Sequence, residues 1–439
     1  MSGNLFGTDG IRGLAGEFPL DETTLGKLGR VLSSLALGPG IAIGRDTRAS
    51  GATIETHLAR GLGKKTRRYS CGVISTPGLA FLTRMLGAHF GIMISASHNP
   101  YRDNGIKVFN RRGEKISAGL ESKISSGLKT ARRTDFGAPG TGSIASIQAY
   151  MDFLLAHGRD LTPGKVKIVL DCANGSASVL APDLFRRLGM NVVVRHAEPD
   201  GKNINAGCGS TCPQTLQRLV RGEKADLGIA FDGDADRVLF ADSEGRLLTG
   251  DHALYLLALY LNHCEPKFNR CVVGTVMANL GLEKALAAAR IGFLRSGVGD
   301  SRVYRLMKKN ASILGGEPSG HIILKHLQPT GDGLLAALVF LKALEFFNWS
   351  GSELHRRLPL YPQRTVNVPI RRRKDLARWK ALLQAEREFA DRQGGRARLL
   401  IRYSGTEPLI RIMMEASAPD VIEEKLPQFL DLIKNEIGA

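Results

Sequence analysis

Gly91-Ile-Met-Ile-Ser-Ala-Ser-His-Asn-Pro100 sets a continuous apolar run directly against a polar turn that carries Ser97 and His98. The run at 90–95 is short, unbroken by charge and bounded by turn residues, which predicts a buried strand. Around it the pattern alternates. A strand is predicted at 41–44, a helix at 50–63, a strand at 69–74, a helix at 77–87 and a further strand at 105–110. Strands separated by helices of this length indicate an α/β unit with a largely parallel sheet. Ligands of such sheets gather beyond the carboxyl ends of the strands, which is where Ser97 falls.

The same alternation recurs downstream. Strands are predicted at 166–170, 191–194 and 227–231. A third cycle has strands at 271–276 and 312–315 and helices at 280–289 and 333–347. After Pro362 the character changes to a strand at 365–370, a long helix at 375–392, strands at 398–403 and 409–416, and a terminal helix. The expected fold class is therefore α/β, with three similar mixed α/β domains and a C-terminal α+β domain. The expected boundaries are 1–145, 146–247, 248–362 and 363–439. Gly137-Ala-Pro-Gly-Thr-Gly-Ser143 serves as the first linker.

Composition agrees with several domains. The chain has 439 residues, too many for one ordinary core, and its 43 % apolar and 23 % charged residues suit a globular protein. The first twelve residues lack the apolar core of a signal peptide. The apolar stretches at 252–261 and 334–347 are too short to span a bilayer, and Lys342 and Glu345 interrupt the second. A cytoplasmic protein with no membrane partner is expected. The net charge of +18 raises the question of nucleic acid, but the basic clusters (Lys64-Lys-Thr-Arg-Arg68, Arg132-Arg133, Arg371-Arg-Arg-Lys374) are short and carry little aromatic interleaving. The excess reads as solvated surface, with part of it serving an anionic substrate.

The six cysteines are scattered, unlike a disulfide framework. Cys208 and Cys212 lie near His196, but their spacing matches no structural zinc pattern, and reduced structural thiols are the better reading.

Four groups carry chemistry. Ser97, past a strand end, can store a phosphoryl group as an ester; as a plain residue it would cap a turn. No G-x-S-x-G elbow surrounds it, which argues against a serine hydrolase. Asp232-Gly-Asp-Ala-Asp-Arg237 places carboxylates at alternate positions. On an extended segment these project to one side and suit Mg²⁺. An EF-hand would need Gly and Glu where Arg237 and Ser243 stand, so it is rejected. Arg402, Ser404, Gly405, Thr406 and Arg411 offer two guanidinium forks, two hydroxyls and a glycine turn, a receptor for a phosphate dianion. Gly63-Lys-Lys-Thr66 is no Walker A sequence, so the expected ligand is a phosphate monoester. Gly315-Gly-Glu-Pro-Ser-Gly-His321 supplies acceptors and an imidazole on a tight loop, suited to sugar hydroxyls or an amine.

Together these motifs resemble the α-D-phosphohexomutase superfamily over nearly the whole chain, and within it the bacterial phosphoglucosamine mutases. Phe6-Gly-Thr-Asp-Gly-Ile-Arg-Gly13 resembles the family's opening. Pro199-Asp-Gly-Lys-Asn-Ile-Asn-Ala-Gly-Cys-Gly-Ser-Thr211 is similar to its second-domain stretch. Gly274-Thr-Val-Met-Ala-Asn-Leu-Gly-Leu282 and Thr330-Gly-Asp-Gly333 also match. The resemblance implies four domains around a central cleft and an isomerase of glucosamine 6-phosphate and glucosamine 1-phosphate. It further implies a phosphoserine at Ser97 and Mg²⁺ held by Ser97, Asp232, Asp234 and Asp236. Glucosamine 1,6-bisphosphate is implied as intermediate and activator. Arg12, Lys107 and His321, with His98 beside the serine, match catalytic positions; Glu317 and Ser319 match the sugar loop. Arg402, Ser404, Gly405, Thr406 and Arg411 match the phosphate loop. The partner implied is the phosphosugar, supplied to UDP-N-acetylglucosamine synthesis. The oligomeric state stays open, with a homodimer as one outcome. A phosphoglucomutase or phosphomannomutase of the same superfamily is the alternative. Three residues depart from the pattern: Ser301 replaces the usual Arg, Pro318 a Gln or Met, and Cys212 a His.

Overall fold

A computed structural model describes residues 5–7, 9–36, 38–64, 66–131, 142–404 and 408–438. The chain forms two compact units. One comprises Met1–Thr275 with Arg290–Arg357, the other Val276–Ala289 with Leu358–Ala439.

The first unit holds three sheets among the described residues. The six-stranded sheet runs Ile11–Leu14, Asp103–Asn110, Phe90–Ile94, Ile41–Arg45, Arg68–Val73 and Gly142–Ile144 across its width. Its last four strands are parallel, whereas Asp103–Asn110 pairs antiparallel with both of its neighbours. Ser143 therefore ends in a strand rather than in the expected linker, most of which lies outside the described residues. Every residue of Phe90–Ile94 is buried, as its unbroken apolar run requires. Two helices, Glu22–Leu35 and Gly51–Leu62, cover one face of this sheet with Leu25, Leu28, Leu32, Ile54 and Leu58.

The five-stranded sheet orders Leu247–Leu248, Val238–Asp242, Leu227–Phe231, Lys167–Asp171 and Asn191–Arg195. The last three strands are parallel, so the loops after Asp171, Arg195 and Phe231 emerge at one edge. The third sheet orders Gly292–Ser296, Cys271–Thr275, Leu314–Gly316 and Ile322–Leu324. The helix Gly333–Phe347 is buried along most of its length, and Asp332 caps its start by accepting from the Leu335 N–H at 3.0 Å. No single helix among the described residues is long and apolar enough to cross a membrane.

The second unit has an antiparallel sheet, Gln363–Pro369, Leu409–Ala416 and Ala397–Tyr403, packed against helices Lys380–Gln393 and Pro419–Ile437. The segment 276–280 is bound to this sheet by Arg398. Its guanidinium donates to the carbonyls of Val276 (3.0 Å) and Ala278 (2.9 Å) and to Glu415 at 2.7 Å. The long helix expected at 375–392 is broken. A single turn, Leu376–Arg378, precedes Trp379, whose ψ of 89° is not helical. The indole of Trp379 is buried in the core, and burying it outweighs continuing the helix.

Candidate active site

Ser97 follows the strand Phe90–Ile94 and takes a left-handed φ of 52°, an uncommon conformation for a residue with a Cβ. Its surroundings fix it there. Its N–H donates to Ser95 Oγ at 2.8 Å. Its carbonyl accepts from the Arg48 guanidinium at 3.0 Å and from Asn205 Nδ2 at 2.8 Å. Arg48 is buried, ion-paired to Asp46 at 2.9 Å, and also donates to the carbonyls of Asn99, Pro100 and Asp103. One guanidinium thus gathers the whole turn. With the backbone fixed, the Ser97 hydroxyl donates to Asp232 Oδ2 at 2.7 Å. His98 is exposed, with Nδ1 3.4 Å from Ser97 Oγ.

The three aspartates follow the strand Leu227–Phe231, and their ligand oxygens lie within 4.8 Å of one another. The expected cause of that convergence was strand alternation. The structure corrects it: residues 232–237 form a turn, and Ala235 takes a φ of 54°. Turning, not extension, points all three carboxylates inward. Each is buried.

Lys107, on the strand Asp103–Asn110, donates to Asp234 Oδ2 at 2.7 Å and Asp236 Oδ2 at 3.0 Å. Burial alone would favour a neutral amine, but Asp234, Asp236 and Asp9 hold its pKa well above the ordinary lysine value. Thr76 donates its hydroxyl to Asp234 as well. Burial works to raise Asp236, yet Lys107 and then His321 pull its pKa well below the carboxylate range. Burial first, and then Asp236 and Asp234, push the Asp232 pKa well above the ordinary value; the charge of Arg237 and the Ser97 hydroxyl pull the other way but are outweighed.

Asp234 Oδ1 and Asp236 Oδ1 are buried without a hydrogen bond. Buried carboxylate oxygens left in this way cost free energy unless a cation takes them. An all-oxygen donor set fits a hard divalent ion such as Mg²⁺.

Beside this cage lies a chain of charges in which Arg12 and His321 are expected from the sequence and Asp9, Lys115 and Asp300 are not. Arg12 donates to Ala96 O (2.9 Å), Asn99 Oδ1 (2.8 Å) and Asp9. Lys115 lies 2.5 Å from both Asp9 and Asp300. His321 is buried, with Nδ1 3.7 Å from Asp236 and Nε2 3.7 Å from Asp300. Burial opposes its protonation, but the facing carboxylate of Asp236 and then the charge of Asp300 raise its pKa. Arg237, adjacent to the triad in sequence, donates its N–H to Asp232 Oδ1 at 3.2 Å. Its position inside the quoted motif is the signal that could have found it, and Asp9 has the same signal within Phe6–Gly13; Lys115 and Asp300 carry none.

On the sugar loop, Glu317 is buried and accepts the Gly299 N–H through Oε1 at 3.0 Å, while Ser319 is exposed. Gly320 takes a φ of 92°, and a Cβ there would meet the Val238 carbonyl at 2.1 Å, so only glycine closes this turn.

The phosphate group belongs to the second unit. Arg402 and Arg411 are direct cross-strand partners. Burial, followed by the charge of Arg411, lowers the Arg402 pKa. Like charges set opposite each other destabilise a sheet, which an anion between their forks would relieve. Ser404 is buried beside them, its carbonyl accepting from Arg373 at 3.0 Å. Gly405 and Thr406 lie outside the described residues.

Known families match this arrangement domain by domain. The profiles of phosphoglucomutase/phosphomannomutase alpha/beta/alpha domains I, II and III match residues 3–135, 148–245 and 249–361, and that of the C-terminal domain matches 366–432. A phosphoglucosamine mutase of Thermus thermophilus is 44 % identical over 420 residues, covering 94 % of this chain and 93 % of its own. One of Solibacter usitatus is 41 % identical over 448 residues, covering all of both chains. A crystal structure of a phosphoglucomutase/phosphomannomutase family protein of Burkholderia thailandensis superposes with a TM-score of 0.81 at 23 % identity, covering all of both chains. With four domain profiles in order and relatives of this identity over nearly the full length, the chain belongs to the phosphoglucosamine mutase family of the α-D-phosphohexomutase superfamily.

Proposed function

We propose that the chain interconverts glucosamine 6-phosphate and glucosamine 1-phosphate, using Ser97 as the phosphoryl carrier. The observation that carries this reading is the Ser97 hydroxyl, held at a left-handed turn 2.7 Å from Asp232 in an acidic cage with two carboxylate oxygens left without hydrogen bonds.

Between turnovers Ser97 Oγ carries the phosphoryl group. The substrate's free O1 or O6 hydroxyl attacks phosphorus, the P–Oγ bond breaks, and the substrate becomes glucosamine 1,6-bisphosphate. The attacking hydroxyl loses its proton to a base, and the Ser97 oxygen leaves as the other bond forms. After the bisphosphate turns over, its second phosphate returns to Ser97. Mg²⁺, held by Asp232, Asp234, Asp236 and the seryl phosphate, would supply charge neutralisation when bound. Lys107 and Arg12 are cations for the transferring oxygens, and His321, between Asp236 and Asp300, is the group placed to hold or pass the proton. His98 flanks the serine. Glu317 and Ser319 read the sugar, and Arg402, Ser404, Gly405, Thr406 and Arg411 read the distal phosphate. The division at residues 145, 247 and 362 gives each group its own domain, and a cytoplasmic location follows from a soluble phosphosugar substrate.

The test is turnover of glucosamine 1-phosphate in the presence of Mg²⁺ and the 1,6-bisphosphate, followed by intact-mass measurement. Interconversion together with one phosphate per chain supports the reading. Absence of turnover on any hexose or hexosamine phosphate would sink it.

A further inference from the structure

The parallel edge that carries Asp232 carries a second group of donors. Asp171 ends the strand Lys167–Asp171, and His196 is the residue after the strand Asn191–Arg195. Cys208 lies in the following loop, just before the short turn Gly209–Thr211. These residues are far apart in sequence, yet a donor atom from each lies within 4.8 Å of the other two. The spacing along the chain that argues against zinc does not include Asp171, which only the sheet brings into place.

The group has the character of a built site. Asp171 is fully buried, and two backbone amides fix its carboxylate: Ala173 N–H donates to Oδ1 at 3.0 Å and Gly209 N–H to Oδ2 at 2.8 Å. His196 Nδ1 stands 3.0 Å from Asp171 Oδ1, is itself buried, and makes no hydrogen bond there. Cys208 is fully buried, with Asn174 Nδ2 at 4.0 Å from its sulfur as a weak donor. The His196 side chain is 31 % exposed, which gives the group an open side.

Ligand chemistry separates this group from the aspartate cage. A thiolate, an imidazole and one carboxylate are the donors of Zn²⁺ and its neighbours in the transition series, not of Mg²⁺. Tetrahedral Zn²⁺ with bonds of about 2.0–2.3 Å needs donors about 3.3–3.8 Å apart, within a small adjustment of the spacing here. Three protein donors leave the fourth position, on the open side, for water.

We propose that Asp171, His196 and Cys208 bind a Zn²⁺-type ion at a site separate from the aspartate cage. Binding forms a metal–sulfur bond as the Cys208 thiol releases its proton to solvent, so uptake of the ion is linked to pH. The ion braces the loop that supports the catalytic serine. Asn205, three residues before Cys208, donates its side-chain amide to the carbonyls of Ser97 (2.8 Å) and Asn99 (3.1 Å), and its N–H to Ala173 O at 2.9 Å. Holding Cys208 against Asp171 and His196 holds that loop to the sheet edge. The site rests on donor geometry and does not depend on the mutase reading.

The experiment uses the full-length protein stripped of metal and titrated with Co²⁺. The expected result is a thiolate-to-cobalt charge-transfer band saturating at one ion per chain, displaced by Zn²⁺ and unaffected by Mg²⁺. Asp234→Asn should keep the band, whereas Cys208→Ser and His196→Gln should each abolish it with circular dichroism unchanged. Hydrogen exchange of amides 203–212 should slow on adding Zn²⁺ to the wild type. A wild type with no thiolate band shows an Asp171–His196 pair beside an inert thiol and overturns the site. A band that survives both variants places the metal on another cysteine and overturns it equally. Should Cys208→Ser fail to fold, the wild-type spectrum and His196→Gln decide the matter. Unchanged exchange despite binding would remove the bracing role.

Discussion

At Ser97 a side chain and a backbone conformation each answer a separate demand. The hydroxyl must face Asp232, and the left-handed φ of 52° is what aims it there. That conformation costs of order 1–3 kcal/mol and persists because Arg48 and Asn205 hold the carbonyl. Ser97→Ala keeps those backbone bonds and removes only the oxygen. It should abolish turnover with little loss of stability, and intact mass should show one phosphate on wild type and none on the variant. Near-normal activity in Ser97→Ala would end the carrier role. Asp234→Asn tests the cage next to it. It leaves Lys107 less neutralised and removes one negative donor, so the Mg²⁺ concentration for half-maximal rate should rise at least tenfold and the rate should fall. A wild type indifferent to EDTA would contradict the metal. Ser97 and the three aspartates were legible in sequence because each group sits within one short motif. Arg48, Lys115 and Asp300 were not, since the partners that give them meaning lie about 50 to 190 residues away.

Asp332 shows the same problem for an element. The helix Gly333–Phe347 was legible to the residue from its apolar run. Its electrostatic cost was not. Burial raises the Asp332 pKa to about 6, although the Leu335 amide and the Tyr150 hydroxyl at 2.8 Å pull the other way. A carboxyl whose folded pKa exceeds its unfolded value binds its proton more tightly in the native state. The charged form is therefore a penalty above about pH 6, and the penalty is relieved as pH falls toward the unfolded value near 4. Asp332→Asn keeps an oxygen for the cap and has no charge to bury. It should gain up to about 2–3 kcal/mol over wild type at pH 7, and urea melts should show the gain shrinking toward zero by about pH 4. A stability difference that does not change with pH would show that burial leaves the Asp332 pKa at its unfolded value. Strand bounds such as Leu227–Phe231 and Leu409–Ala416 were equally readable, the first as an unbroken buried run and the second as an apolar run interrupted only by Arg411 and Glu415. The break at Trp379 was not, because a helical pattern does not reveal which large side chain must turn inward.

On the scale of the molecule, the proposed function keeps two kinds of recognition on different parts of the chain. Arg402 and Arg411, opposed across neighbouring strands, present charge and no feature that could read a sugar. Arg402→Ala should raise KM for glucosamine, glucose and mannose phosphates alike, by the ~2–3 kcal/mol of a lost bidentate contact. A defect confined to one sugar would show that this pair does not bind phosphate. On the proposed reading, sugar choice then falls to Glu317. Its Oε1 is committed to the Gly299 amide, which fixes the carboxylate, and its burial strengthens any charge that meets it. A C2 ammonium facing it forms a charge-assisted hydrogen bond worth about 1.5–3 kcal/mol, whereas a C2 hydroxyl forms a weaker neutral one. kcat/KM should thus favour glucosamine over glucose phosphate by about ten- to a hundredfold at saturating bisphosphate. Glu317→Gln should erase most of that ratio by slowing the amino sugar and sparing glucose phosphate. Pro318 beside Glu317 stiffens the loop, so the carboxylate cannot retreat to suit either sugar. Equal kcat/KM values on the wild type would assign the chain's activity to the glucose and mannose mutases of the superfamily, with the Ser97 chemistry unchanged. A preference that survives Glu317→Gln would place the amine against some other group of the sugar loop.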